Sequence, residues 1–91
     1  MKKIKLFVQD GCRPCMYVET QLKKTENWEK VVSIVNSKEN GQWSDCAKYC
    51  EVVATPTLVV LEGDEVKYKK AGSQSMNRSF WSEFIERHLN D

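Results

Sequence analysis

The sequence predicts an α/β domain in which helices cover both faces of a mixed four-stranded sheet. Apolar residues alternate at the strand period near residues 4–8 and recur at the helix period in residues 12–25 and 80–89. The segments follow one another in the order β-α-β-α-β-β-α, without repeats or linkers. The 91 residues carry 14 Lys and Arg against 13 Asp and Glu, which is the composition of one ordinary domain spanning residues 1–91.

The first half of the chain predicts a strand, a helix and a second strand. Residues 4–8 alternate as a strand does, and Asp10-Gly11 ends it. Residues 12–25 have a helical apolar stripe, with Pro14 tolerated in the first turn. Val31 to Val35 is apolar enough for a buried strand. Because a helix connects the two strands, we expect them to be parallel neighbours with a right-handed crossover.

The middle of the chain predicts a turn, a short helix and a third strand. Asn40-Gly41 is a turn signal. Residues from Trp43 to Tyr49 have a helical pattern that Ser44 can cap. Thr57 to Leu61 is a continuous apolar segment typical of a buried strand.

The last third predicts a hairpin followed by a terminal helix. Gly63-Asp64 is the turn, Val66 and Tyr68 alternate with lysines in the fourth strand, and Gly72 ends it. The final helix is indicated by apolar and aromatic residues that recur in pairs every four positions: Phe80, Trp81, Phe84, Ile85, His88 and Leu89.

The charge balance and apolar patterning exclude several classes of function. A formal net charge of +1 argues against a nucleic-acid or anionic-membrane binder, which normally has a clear basic excess. The longest apolar run is Leu58 to Leu61, far short of the roughly 18 residues that indicate a membrane helix. The N-terminal segment also lacks the pattern of a signal peptide. We therefore expect a cytoplasmic protein without nucleic-acid or membrane partners, and we also expect a monomer.

The chemistry is predicted at Cys12-Arg13-Pro14-Cys15, where the first strand turns into the first helix. A thiolate at a helix N-terminus faces unpaired N–H groups and the positive end of the helix dipole, which lower its pKa below the usual value of about 8.5. Cys15 lies one turn further along the inward stripe, within reach of a disulfide but shielded from solvent. The pattern therefore indicates Cys12 as the nucleophile and Cys15 as the resolving thiol.

Three less reactive interpretations of the cysteines remain open. Cysteines are common small core residues, although a core role does not predict this run at a strand-to-helix turn. Alternatively, Cys12, Cys15, Cys46 and Cys50 could hold a structural zinc ion through four thiolates, or the domain could be a redox-inert interaction module. The second cysteine pair lacks the short spacing of a zinc knuckle, so we expect neither a metal nor another cofactor.

Two motifs in this order resemble the thioredoxin/glutaredoxin family. Cys12-Arg13-Pro14-Cys15 is similar to its redox motif, and Ala54-Thr55-Pro56-Thr57 before an apolar strand is similar to its proline signature. The resemblance covers nearly the whole chain. It implies a thiol–disulfide oxidoreductase with a minimal thioredoxin fold and a cis bond before the proline, which lies beside the two cysteines. The substrate-binding residues that it implies are Arg13, Pro14, Thr55 and Pro56.

Departures from the family pattern bear on the subtype. Leu6 replaces the buried Asp that assists proton transfer in thioredoxins, and Gly11 replaces their usual Trp. Arg13-Pro14 lacks the aromatic residue of glutaredoxins, and residues 71–74 lack their Gly-Gly-acidic segment for glutathione. We therefore expect a thioredoxin-like reductant of protein disulfides, recharged by a thioredoxin reductase or by glutathione. A glutathione-dependent glutaredoxin is the alternative.

Cys46 and Cys50 form a second candidate redox pair. Side chains at i and i+4 share a helix face with Cβ atoms roughly 5–6 Å apart, whereas a relaxed disulfide needs about 3.5–4.5 Å. A bridge would therefore require the last helical turn to distort. The favoured interpretation is that Cys50 packs inward as a small apolar residue and Cys46 is half exposed. A labile regulatory disulfide is the alternative.

Overall fold

The computed structural model describes residues 2–90, which include six β-strands and three α-helices. Their bounds are β1 (Lys2–Val8), α1 (Arg13–Lys23), β2 (Ser33–Asn36), β3 (Lys38–Glu39), β4 (Gln42–Trp43), α2 (Asp45–Tyr49), β5 (Thr57–Glu62), β6 (Glu65–Ala71) and α3 (Arg78–His88). A short 3₁₀ helix, Trp28–Lys30, precedes β2. Within the described range, none of the helices combines the length and apolar character that crossing a membrane requires.

The main sheet has four strands in the order β2-β1-β5-β6. β1 is parallel to β2 and antiparallel to β5, and β5 is antiparallel to β6. In the centre, Leu6 of β1 lies opposite Ile34 on one side and Leu58 on the other. The mixed four-stranded sheet predicted from the sequence is confirmed.

Alternate side chains of β1 and β5 pack into two separate cores, because neighbouring residues of a strand point to opposite faces of the sheet. Leu6 and Leu58 share one core with apolar residues of α1 and α3. Phe7 and Val59 share the other core with Ala47 of α2. Helices therefore cover both faces, and the apolar Phe7 in an otherwise alternating strand is explained by the second core.

The second strand begins later than predicted, at Ser33 instead of Val31. The backbone N–H groups of Val31 and Val32 both donate to the carbonyl of Trp28, at 3.0 and 2.9 Å, so these residues close a helical turn and do not join the sheet. The half-buried Trp28 packs against the larger core. The apolar run at this point is therefore divided between a turn and a strand. The first helix also ends earlier, at Lys23 instead of about Thr25.

A small hairpin of β3 and β4 surrounds the predicted Asn40-Gly41 turn. Both turn residues have positive φ, 52° and 79°, which suits the tight turns that join antiparallel strands. The two-residue strands are too short to produce an alternating pattern in the sequence. Because Trp43 belongs to β4, α2 begins at Asp45, and the Ser44 hydroxyl accepts the Ala47 N–H at 3.1 Å as its cap.

Candidate active site

The turn between β1 and α1 places Cys12 directly before the first residue of the helix. The N–H of Cys12 donates to the carbonyl of Gln9 at 3.3 Å, which closes the turn. Gly11 has a φ of +76°, a conformation that residues with a Cβ atom rarely adopt. Cys12 is consequently the N-cap of α1, and the regular helix begins at Arg13, one residue later than the predicted start at residue 12.

Cys12 and Cys15 form a disulfide, with their Cα atoms 5.2 Å apart. The two residues differ in access to solvent: Cys12 is half-buried, whereas Cys15 is only 1% exposed. The side chain of Cys15 lies on the inward stripe of α1, together with Val18 and Leu22. A large substrate can therefore approach Cys12 but not Cys15.

The start of α1 supplies a hydrogen-bond donor to the Cys12 sulfur. The backbone N–H of Cys15 donates to Cys12 Sγ at 3.2 Å. A thiolate accepts such a bond more strongly than a thiol does, and the positive end of the helix dipole acts in the same direction. A donor at this position would stabilise a thiolate on Cys12 once the disulfide is reduced.

The loop before β5 lies directly against Cys12. The bond between Thr55 and Pro56 is cis. The Thr55 hydroxyl lies 3.5 Å from Cys12 Sγ, and the Thr55 carbonyl oxygen lies 3.8 Å from the same sulfur. Of the residues singled out in the sequence, the structure thus brings Thr55 and Cys12 together across 43 positions of the chain.

The remaining predicted site residues occupy different surroundings. Arg13 and Pro14 are exposed on the first turn of α1, whereas Pro56, which follows Thr55 in the loop, is buried. Leu6, at the position where thioredoxins have a buried acid, is fully buried in the larger core. An aliphatic side chain cannot move a proton, so this position contributes packing only.

Sequence reasoning missed Gln9, which donates its side-chain N–H to the Thr55 hydroxyl at 2.8 Å. The available signal was a polar residue directly after the last residue of β1 and three positions before Cys12. Strand ends next to a reactive turn are positions where polar side chains commonly serve a site. The sequence could not show that Thr55 would be its partner.

Cys46 and Cys50 are free thiols on the face of the sheet that α2 covers. Cys46 lies within α2, and Cys50 directly follows it. The Lys5 ammonium donates to Cys46 Sγ at 3.2 Å, and Cys46 is half-buried. Cys50 is buried, and this burial, followed by the neighbouring Cys46, raises the pKa of its thiol, while Lys5 and Lys69 oppose the shift. This arrangement agrees with the favoured structural interpretation, and a redox role for the pair stays a prediction.

The four cysteines are not arranged as a zinc site. Cys12 and Cys15 are joined to each other, and Cys46 contacts Lys5 instead of the first pair. Among residues 2–90, no group of three or more His, Cys, Asp or Glu side chains has an arrangement suited to a metal ion. The four-thiolate alternative raised by the sequence is therefore not supported by the positions of the side chains.

We expect Cys50 to make folding less favourable at alkaline pH. Its pKa is raised in the folded state, so above the usual thiol value of about 8.5 the folded protein keeps a proton that the unfolded chain loses. The free energy of unfolding then falls as the pH rises through this window. Urea unfolding of the oxidised protein at pH 7 and pH 10 measures this change. Between these pH values, the free energy of unfolding should fall less for Cys50→Ala than for the unsubstituted protein, and an equal fall would contradict this prediction.

Comparisons with known proteins identify the fold. The thioredoxin of Malassezia sympodialis superposes with a TM-score of 0.70 at 22% identity, covering 96% of this chain and 74% of that one. Fasciola hepatica thioredoxin gives 0.68 at 21%, covering 96% and 80%. Mitochondrial thioredoxin 3 of Saccharomyces cerevisiae gives 0.64 at 27%, covering 94% and 77%. No protein-family model and no curated protein sequence matches the chain.

Proposed function

We propose that this chain, which has a thioredoxin fold, is a thiol–disulfide oxidoreductase that reduces protein disulfides with the Cys12/Cys15 dithiol. The observation that carries the proposal is the disulfide at the start of α1, with a half-buried Cys12 and a buried Cys15. A substrate can reach the sulfur of Cys12, whereas the sulfur of Cys15 is shielded and can react only with Cys12. That difference is what a two-step exchange requires.

In the first step, the Cys12 thiolate attacks one sulfur of a substrate disulfide. A mixed disulfide forms, and the other substrate sulfur leaves as a thiolate that takes a proton from solvent. In the second step, Cys15 loses its proton and attacks Cys12 Sγ, which forms the Cys12–Cys15 disulfide and releases the second substrate thiol. Two electrons pass from the dithiol to the substrate. The Cα separation of 5.2 Å in the Cys12–Cys15 disulfide lies within the usual range for such a bond.

The surface around Cys12 suits an extended, partly apolar substrate segment. Arg13 and Pro14 are exposed beside the sulfur, and the Thr55 carbonyl lies 3.8 Å from it. Val53, in the same loop, is 84% exposed, which is unusual for an aliphatic residue of this size. We assign substrate contacts to Arg13, Pro14 and the Thr55-Pro56 loop, where the backbone can pair with a substrate as an added strand.

A thioredoxin reductase fits as the source of electrons better than glutathione does. The segment after β6, residues 71–74, reads Ala-Gly-Ser-Gln and carries no acidic residue that could bind the amino group of glutathione. The alternative, a glutathione-dependent glutaredoxin, would need other residues for that contact. Glutathione nevertheless remains able to reduce an accessible disulfide by simple exchange.

We expect the protein to accelerate insulin reduction and to couple to thioredoxin reductase. Insulin precipitation with dithiothreitol tests the activity, and NADPH consumption with thioredoxin reductase, or with glutathione and glutathione reductase, tests the electron source. Faster coupling to thioredoxin reductase is the expected result. No acceleration over dithiothreitol alone would refute the proposed activity, and turnover only with glutathione would favour the glutaredoxin alternative.

A further inference from the structure

Gln9 is connected to Cys12 by two consecutive side-chain contacts. It lies in the turn after β1, half-buried, and its Nε2–H donates to Thr55 Oγ1 at 2.8 Å. The same Thr55 oxygen lies 3.5 Å from Cys12 Sγ, within the longer hydrogen-bond distance that sulfur allows. The contacts join three parts of the chain: the β1–α1 turn, the helix N-cap and the loop before β5.

The first contact determines the direction of the second. A hydroxyl has one proton to donate and can accept other hydrogen bonds through its lone pairs. Because the Gln9 amide donates to Thr55 Oγ1, the hydroxyl proton is not used on Gln9 and is free to point at Cys12 Sγ. A hydroxyl that donates to a thiolate makes a charge-assisted bond, which is about twice as strong as a neutral one.

We propose that Gln9 is a positioning residue for thiol–disulfide exchange, which holds the Thr55 hydroxyl so that its proton stabilises the Cys12 thiolate. The inference rests on the proposed function and deepens it, because it names a residue outside the Cys12–Cys15 motif that prepares the nucleophile. Gln9 acts through Thr55 and does not itself touch the sulfur in this arrangement.

A hydrogen bond from Thr55 can affect the pKa of Cys12 strongly, because no buried charged side chain of the neighbouring segments competes with it. The charged residues next to it in the chain, Asp10 and Arg13, are both exposed and therefore screened by water. The loop packed against it, residues 52–57, contains no ionisable side chain, and Leu6 of β1 is aliphatic. The donors that reach the sulfur are neutral, the Cys15 N–H and the Thr55 hydroxyl, and the Thr55 carbonyl oxygen lies 3.8 Å from it.

The test measures the pKa of Cys12 in protein that cannot reoxidise. In a Cys15→Ser background, the rate of iodoacetamide alkylation at Cys12 is followed against pH by mass spectrometry of its peptide, which separates it from Cys46 and Cys50. We expect Gln9→Met, which keeps the length of the side chain but removes the donor, to raise the pKa of Cys12 by about half a unit. Alkylation well below that pKa then slows by about threefold.

Four further variants separate the hydrogen-bond role from a structural one. Thr55→Val should raise the pKa of Cys12 at least as much as Gln9→Met does, whereas Thr55→Ser, which keeps the hydroxyl, should restore most of the original value. Gln9→Met added to Thr55→Val should cause no additional rise, because Gln9 acts through Thr55. Gln74→Met, at an exposed glutamine after β6, is the matched control and should leave the pKa unchanged.

Either of two results would overturn the inference: an unchanged pKa in Gln9→Met, or a rise of equal size with and without the Thr55 hydroxyl. Circular dichroism and thermal unfolding identify a variant that has lost the fold, and Thr55→Ser then provides the conservative comparison. The readout needs no substrate or reductase. Failure of the proposed oxidoreductase activity in the insulin assay is therefore recognised separately from failure of the role of Gln9.

Discussion

Replacing Cys12 with serine is expected to reduce insulin turnover to the rate of dithiothreitol alone, while Cys15→Ser accumulates covalent complexes with substrates. Cys12 carries the accessible sulfur, so its loss prevents the first attack. Cys15 is 1% exposed and acts only after the mixed disulfide has formed, so its loss leaves that intermediate without an internal thiol to release it. Non-reducing electrophoresis of each variant after mixing with a disulfide-containing protein measures the trapping.

A matched control is available in the second cysteine pair. Cys46→Ser removes a half-buried thiol that contacts Lys5 and takes no part in the Cys12–Cys15 disulfide. We expect it to retain most of the insulin turnover and to trap no substrate. Equal trapping by Cys12→Ser and Cys15→Ser would contradict the assignment of nucleophile and resolving thiol. A loss of turnover in Cys46→Ser would instead support the redox role considered for Cys46 and Cys50.

Trp81→Ala is expected to lower the free energy of unfolding by about 3–5 kcal/mol. Trp81 is 0% exposed and is the largest of the fully buried side chains of the described residues. It packs edge-on against Phe80 and Phe84, with ring centroids 5.1 and 5.7 Å away. A small domain has about 5–15 kcal/mol of stability in total, so the variant should lose a large part of it. Urea unfolding followed by circular dichroism measures the loss.

Two comparisons show whether the loss comes from the cavity. The Trp81 indole N–H is buried without a hydrogen-bond partner among residues 2–90. Trp81→Phe therefore sacrifices no hydrogen bond and should cost clearly less than Trp81→Ala. Trp28→Ala removes a tryptophan that is only half-buried, and it should also cost less. If Trp28→Ala were as destabilising as Trp81→Ala, burial in the larger core would not be the cause.

Periodicity predicted the order and type of the main elements, because each of them buries a face. The helix period in α1 and α3 follows from cores in which Val18, Leu22 and Trp81 are buried. Continuous apolar character in β5 follows from its central position, with helices on both faces. The hairpin of β3 and β4 could not be predicted in the same way, because strands of two residues are too short to show an alternating pattern.

Boundaries were less well predicted where local contacts compete with the sheet. Val31 and Val32 are as apolar as strand residues, yet both donate their N–H groups to the carbonyl of Trp28. The sequence shows only that such residues prefer burial. Whether they belong to a turn or to a strand depends on how the Trp28 side chain packs against the larger core.

The sequence by itself determined the reactive pair and its setting. Cys12 and Cys15 are three positions apart at a strand-to-helix turn, and their chemistry depends on that local geometry, which neighbouring residues dictate. The connection from Gln9 to Thr55 and on to Cys12 was decided by the tertiary structure alone. It spans 46 positions and exists because β1 and β5 pair antiparallel, with Phe7 opposite Thr57, so that the end of one strand meets the start of the other. Hydrogen bonds act only over about 3 Å, and no sequence pattern specifies a distance between residues that far apart in the chain.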